Sequence, residues 1–287
     1  MHATLLVIGA AGGVGLEVVR LLSPVYRVLG TVRHESQAAA VREAAPAIAQ
    51  VIALDLSDNG QISARLDPLL HDVQDLKGVV VCAAVCPNGP LETAAAPTLR
   101  QALEVNVVSH LTIFQRCMPA LRRSQGRLIF ISSYSGQVGM PFTGLYVASK
   151  FALEGIADVM RREVAKFGVA VILIQPGGLK TQMVARQMAD LKAAADTLGH
   201  DEKALYGDLY RQFSRLVRRS FPTATPAAEA ASAVALALRA RKPKTRYAVG
   251  ADAKHLLALN AARSDRAMDQ ICQDIFASAD AVEDPYS

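Results

Sequence analysis

The sequence predicts an α/β fold: a single doubly wound parallel sheet with helices on both faces and a small helical cap. Three observations predict it. Short apolar runs rich in β-branched residues recur along the chain. Longer segments with helical periodicity separate them. A glycine cluster joins the first apolar run to the first helical segment. Strands that are apolar on both faces must be covered on both faces, which calls for parallel strands and flanking helices. Right-handed crossovers then assemble them into one doubly wound sheet.

The elements follow in order. "TLLVIG" at 4–9 reads as a buried strand and "VGLEVVRLL" at 14–22 as a helix. "YRVLGTV" at 26–32, "VIAL" at 51–54, "GVVVCAA" at 78–84, "RLIFIS" at 127–132 and "VAVILIQP" at 169–176 continue the strands. Helical patterns fill about 36–45, 58–72, 98–121 and 146–167, and "RYAVG" at 246–250 is a last strand. The segment 182–222 has no strand pattern and reads as a helical cap over one end of the sheet. No linker divides the chain, so residues 1–287 are expected to form one domain.

Composition sets the bounds. Half of the 287 residues are hydrophobic (51%), enough for a sizeable core, and tryptophan is absent. The net charge of +5 is a mild excess. Arg211, Arg215, Arg218 and Arg219 cluster, as do the basic residues of 239–246, but no aromatic interleaving or nucleic-acid motif accompanies them. They read as solvated faces, and no nucleic-acid partner is expected. The four cysteines, Cys82, Cys86, Cys117 and Cys272, have no histidine at metal-ligand spacing, so no metal is expected. "ATLLVIGAAGGVG" lacks a basic leader and is broken by glycines, and the uncharged stretch 128–149 is broken by Ser, Gly, Pro and Gln. Neither reads as a signal peptide or a transmembrane segment, and the expected location is the cytoplasm.

Gly9, Gly13 and Gly15 follow the first strand and open the first helix. Glycines there let the chain turn sharply and let backbone N–H groups approach a pyrophosphate at a helix N-terminus. This is the strand–loop–helix context of a dinucleotide site. The spacing G-x-x-x-G-x-G, with Tyr146 one turn before Lys150 as Y-x-x-x-K, resembles the short-chain dehydrogenase/reductase family, whose sheet is Rossmann-type. "IQPGGLKT" and "RKPKTRYAVGADAK" are similar to the bacterial branch that resembles retinol and 17β-hydroxysteroid dehydrogenases. The resemblance runs from residue 4 to about 265.

The end of the second strand, "VLGTVRHES", offers no carboxylate before Glu35. A carboxylate there would repel a 2′-phosphate, whereas an arginine pairs with one. The family's acidic position falls on Val32, and Arg33 follows, so the resemblance implies NADP(H), with NAD(H) less favoured. It implies cofactor contacts from Gly9, Gly13, Val14, Gly15, Arg33, Asp55, Leu56 and Ala83. It adds contacts from Tyr146, Lys150, Pro176, Gly177, Leu179 and Thr181, the last four in the P-G-x-x-x-T loop. Where relatives carry N-N-A-G, this chain has Cys82, Ala83, Ala84 and Val85, which leaves the backbone approach to the adenosine ribose open.

Residues one turn apart share a helix face, so Tyr146 and Lys150 point the same way. Ionising a phenol of pKa about 10 near neutral pH costs roughly 4 kcal/mol. A cation about 4 Å away supplies roughly the same at an effective dielectric of about 20. The pair is therefore chemically sufficient for general acid/base work. The resemblance implies that Ser133 binds the substrate oxygen, with Ser132 and Ser135 as alternatives, and that Asn106 sustains a proton relay to Lys150. Asparagine is disfavoured inside a helix, and a buried one at 106 is expected to bend or interrupt it. The implied activity interconverts an apolar alcohol and its ketone or aldehyde, in a homo-oligomer built through helices 98–121 and 146–167. Met183, Met188, Leu191, Leu205, Phe213 and Leu216 either face that substrate or pack the cap. A non-catalytic NADP(H) sensor is the alternative; its expected sign is loss of Tyr146, Lys150 or Ser133, and all three are present.

Overall fold

The structure, a computed structural model, describes residues 2–279. The chain alternates β1 (Thr4–Ile8), α1 (Gly13–Leu22), β2 (Arg27–Val32), α2 (Ala38–Ala44), β3 (Gln50–Ala53), α3 (Asn59–Leu70) and β4 (Leu76–Val81). It continues through α4 (Ala96–Leu103), α5 (Ser109–Ser124), β5 (Arg127–Ile131), α6 (Gly144–Val164) and β6 (Ala170–Pro176). Next come β7 (Leu179–Lys180), α7 (Gln182–Thr197), α8 (His200–Ser220), β8 (Thr225–Pro226), α9 (Ala227–Arg239), β9 (Arg246–Val249), α10 (Ala251–Ala262) and α11 (Asp265–Ala277).

Seven strands form one parallel sheet in the order β3-β2-β1-β4-β5-β6-β9, and β7 pairs with β8 apart from it. The order reverses beside β1, where strands to either side send their crossovers to opposite faces. Alternate side chains of each strand feed two separate cores. Leu6, Ile8, Leu128 and Phe130 pack under α3, α5 and α6, while Leu5, Val7, Ile129 and Ile172 pack under α1 and α9. Every residue of β1 is buried, as its unbroken apolar run predicts.

Three features refine the sequence reading. The helix expected over 98–121 is widened into a π-helical turn at Glu104–Val108, which joins α4 to α5 and carries Asn106. The helical segment expected over 182–222 consists of two helices, α7 and α8. Helices α9, α10 and α11, which no element assignment covered, complete the second layer and the cap. Phe213 of α8 stacks on Phe276 of α11 at 6.1 Å, and Phe142 meets Tyr210 edge-on at 4.6 Å.

His110, in the first turn of α5, is fully buried and stacks on Phe130 of β5 at 5.4 Å. Burial pulls its pKa down to about 3, and the charge of Lys150 adds to that, so the ring is neutral. In the unfolded chain it titrates near 6.5. Between those values the unfolded state binds more protons, so stability falls as pH drops below about 6.5. His110→Phe should remove on the order of 2 kcal/mol of the stability lost between about pH 6.5 and 5. Urea midpoints at the two pH values measure it; equal pH dependence in both proteins would refute the buried neutral ring.

Candidate active site

The glycine loop lies between β1 and α1. Gly9 takes φ +83°, a left-handed conformation that only glycine adopts without strain. Its N–H donates to Thr31 Oγ1 at 3.2 Å and its carbonyl accepts from Gly12 N at 3.0 Å. A Cβ on Gly15 would lie 2.1 Å from the Gly9 carbonyl oxygen, so the turn closes only around a bare backbone. Gly12, at the N-cap of α1, has no side chain to cap the first-turn amides. Those amides have no intrahelical acceptor, and they face outward with the positive end of the helix dipole. This donor set suits a pyrophosphate, so the loop fits the dinucleotide that the sequence motif implies.

The other expected cofactor residues gather around this loop. A Cβ on Gly13 would come within 2.7 Å of Thr181 Cγ2, so the loop after β6 touches the start of α1. Thr181 occupies the N-cap of α7, but its hydroxyl does not bond the helix amides. Ala83 lies against Gly9, whose Cβ would sit 2.9 Å from the Ala83 Cβ. Val14, Leu179 and Pro176 are buried, and Pro176 closes β6 with Gly177 just beyond it. Leu56 packs its side chain into the core, which leaves only its backbone to face a ligand. Arg33 and Asp55 meet at the far end of the sheet, with Arg33 Nε 3.3 Å from Asp55 Oδ2. Burial alone would raise the Asp55 pKa, but hydrogen bonds from Ser57 and Arg33 and the arginine's charge hold it below the usual carboxylate value. Asp252, which lies within "RKPKTRYAVGADAK" but had no role assigned from the sequence, accepts from Gly178 N at 2.7 Å and braces the loop after β6.

Ser133, Tyr146 and Lys150 converge beside β5 and β6, and Asn106 meets α6 from the π-turn. Ser133 follows β5; its Oγ accepts from Ser135 N at 3.1 Å and donates weakly to the Pro176 carbonyl at 3.5 Å. Lys150, only 1% exposed, donates from Nζ to the Ile131 carbonyl at 2.9 Å. The ammonium lies 5.5 Å from the centroid of the Tyr146 ring. Asn106 makes three hydrogen bonds, two to Val85 and one to Ser149. Its Oδ1 accepts from Val85 N at 2.9 Å, and its Nδ2 donates to Val85 O at 2.8 Å and to Ser149 Oγ at 2.9 Å. Ser149 in turn donates to the Tyr146 carbonyl at 2.7 Å, so the π-turn, the segment after β4 and helix α6 are locked together.

The electrostatics differ from the simple pair estimate. Burial pushes the Tyr146 phenol up, with a hydrogen bond from Ser133 pulling the other way. Burial also pulls Lys150 down to about 8. Lys150 alone therefore does not ionise Tyr146 here; the phenol keeps its proton. Cys82 and Cys86, both pushed up to about 12 by burial, flank the lysine as neutral thiols.

The cap borders this cleft. Gln187 donates to Asn88 Oδ1 at 2.8 Å, and Tyr206 donates to Glu92, tying α7 and α8 to the segment after β4. Of the apolar cap residues, Leu191 and Phe213 are buried in the cap's own cluster and Leu216 packs against it. Met188 is half-buried, while Met183 and Leu205 are exposed. Among the described residues no helix is long and apolar enough to cross a membrane.

A family model described as short chain dehydrogenase matches residues 3–192. The chain is 30% identical over 274 residues to an NADPH-dependent 3-dehydrocapnine reductase of Ornithobacterium rhinotracheale, covering 92% of this chain and 94% of that protein. It is 31% identical over 259 residues to human 17-beta-hydroxysteroid dehydrogenase type 1, covering 86% of this chain and 77% of that one. A short-chain dehydrogenase structure from Streptomyces avermitilis superposes with a TM-score of 0.75 at 23% identity, covering 96% of this chain and 98% of that one.

Removing the Asn106 side chain leaves the half-buried Val85 amide and carbonyl without their partner and takes a donor from the buried Ser149 hydroxyl. Asn106→Ala should therefore lose about 3 kcal/mol of folding stability. Chemical denaturation checks this, and a loss below about 1 kcal/mol would show that the lock is not where the stability lies.

Proposed function

The chain belongs to the short chain dehydrogenase family, and we propose that it is an NADP(H)-dependent oxidoreductase that interconverts an apolar alcohol and its ketone or aldehyde. The observation that carries the reading is the convergence of Ser133, Tyr146 and Lys150 beside the glycine loop at the carboxyl ends of β1, β5 and β6. Ligands of open α/β sheets bind at those ends. NADPH as the cofactor is supported by the exposed guanidinium of Arg33 at the end of β2, suited to a 2′-phosphate, and by the NADPH-dependent relative.

The glycine loop and Arg33 would hold NADP(H), which would supply the hydride in reduction and accept it in oxidation. The chain's residues do the rest. The Ser133 hydroxyl, already within reach of the phenol, holds the substrate oxygen beside it. Tyr146 Oη carries the proton that the oxygen takes up in reduction and receives it back in oxidation. Lys150 holds a positive charge beside the phenol ring and would bind the nicotinamide ribose. Asn106 keeps α6 in register with the segment after β4, so the reacting groups stay within reach of each other. The buried side chains of the cap pack its own cluster, so the apolar substrate is proposed from relatives such as the human 17-beta-hydroxysteroid dehydrogenase type 1.

The outer face of α6 supports self-association. Phe151 and Val159 are exposed there, and Val108 and Leu111 are exposed in the chain's other long helical segment. Exposed apolar side chains favour burial against a second copy.

Turnover should be seen as NADPH oxidation with apolar ketones or aldehydes, faster than with NADH. Tyr146→Phe should reduce it at least about a hundredfold while NADPH still binds; an active variant would overturn the assignment. Phe151→Glu combined with Val159→Glu should shift the protein toward monomer in light scattering. A wild-type protein that is already monomeric would end the oligomer proposal.

A further inference from the structure

Glu154 lies on α6 one turn beyond Lys150, and it is 5% exposed. Its Oε1 accepts from Gln175 Nε2 at 3.1 Å and its Oε2 accepts from Arg246 Nε at 2.8 Å. Arg246 also donates to Asp158 Oδ1 at 3.0 Å. Gln175 precedes Pro176, whose carbonyl faces Ser133 Oγ. Glu154 also backs the single turn 134–136 that follows Ser133: a Cβ on Gly136 would fall 2.6 Å from Glu154 Cγ. One carboxylate thus joins β6, β9 and the turn after Ser133, on the helix face that carries Tyr146 and Lys150.

Burying a carboxylate and a guanidinium costs several kcal/mol in lost hydration, and apolar residues of like volume often serve stability as well. Stability alone therefore does not account for this pair. We propose that Glu154, braced by Arg246 and Gln175, is a positioning residue for Lys150, its buried carboxylate supplying the negative charge that keeps the lysine ammonium ionised beside Tyr146. The proposal rests on reading Lys150 as part of the proton-transfer machinery.

The surroundings of Lys150 narrow the source of that charge. Cys82 and Cys86 approach from beyond β4, His110 from α5, the Ile131 carbonyl from β5, and Tyr146 and Glu154 from α6 itself. The two thiols, at about 12, stay protonated where the lysine titrates, at about 8. His110 and the Tyr146 phenol are neutral there as well. Burial pulls Lys150 down, and among the groups that oppose it Glu154 is the carboxylate, held in an ion pair with Arg246 at 2.8 Å. Glu154 in turn faces Arg246 and Gln175, with Asp158 behind the arginine.

The test is a direct titration. In protein labelled with ¹³C-lysine, the Lys150 Cε resonance is assigned as the one lost in Lys150→Met. Its midpoint should lie near 8 in the wild type. Glu154→Gln should lower the midpoint by about 1 unit, whereas Glu154→Asp keeps it near the wild-type value. Arg246→Met, which leaves the carboxylate but removes its compensating cation, should raise it. A folded Glu154→Gln protein with an unchanged midpoint overturns the proposal. Should circular dichroism show that variant unfolded, Arg246→Met decides alone, and an unchanged or lowered midpoint overturns it. The titration needs no turnover, so an active Tyr146→Phe enzyme would defeat the functional reading without moving this midpoint.

Discussion

A lysine ammonium that is 1% exposed sits at the carboxyl edge of a parallel sheet, and much of the surrounding structure answers that burial. Removing a cation from water costs several kcal/mol unless polar groups replace the lost hydration. The Ile131 carbonyl takes one of its protons at 2.9 Å. Strand β5 can offer that carbonyl because β5 ends there and the chain turns away toward Ser133. The same burial keeps His110 neutral and leaves the nearby cysteines as thiols. Around the buried lysine, His110 and the two thiols are held in their neutral forms, and Glu154, buried on the same helix, is a carboxylate that opposes the effect of burial.

The sheet was legible because its strands are buried on both faces. "TLLVIG" and "VAVILIQP" tolerate no charged residue, so their apolar runs are continuous and point to parallel pairing. The helices at the end of the chain were not legible in the same way. In α10 the apolar residues are spread around the helix rather than gathered on one face, and it buries only Ala253 and Leu256. Helix α9 is mostly alanine, which signals helix propensity but little about which face is covered. The π-turn was legible in part: a buried asparagine inside a helical pattern had to disturb the ladder. That the disturbance would be a widening, with the side chain clamped on Val85, required the tertiary partner.

The candidate site divides along the same line. Gly9, Gly13, Gly15, Ser133, Tyr146 and Lys150 stand in local patterns whose spacing carries chemistry, so one sequence sufficed to nominate them. Ser149, Gln175, Asp252 and Arg246 act through partners far along the chain and have no local signature. Glu154 sits in plain view one turn after Lys150, yet such spacing is common on solvated helices. Only its burial and its bond to Arg246 distinguish it. The pair estimate for Tyr146 and Lys150 went astray for a related reason. It assumed a partly solvated phenol with the cation at its hydroxyl, whereas burial dominates and the ammonium lies below the ring.

On the proposed reading, in which Tyr146 transfers the proton, that difference bears on the direction of transfer. A phenol whose pKa is raised by burial holds its proton at neutral pH, which is the form needed to give a proton to a carbonyl oxygen. The alkoxide that develops as hydride arrives is far more basic than a phenolate, so a strongly held phenolic proton still moves downhill. Oxidation places the opposite demand on the same group, because the phenol must first lose its proton to a site where burial disfavours the anion. Positive charge beside the ring then becomes decisive, and the supply of that charge rests on keeping Lys150 ionised. On the proposed reading, reduction needs little from the lysine's charge while oxidation depends on it, so the ion pair behind α6 weighs unequally on the two directions.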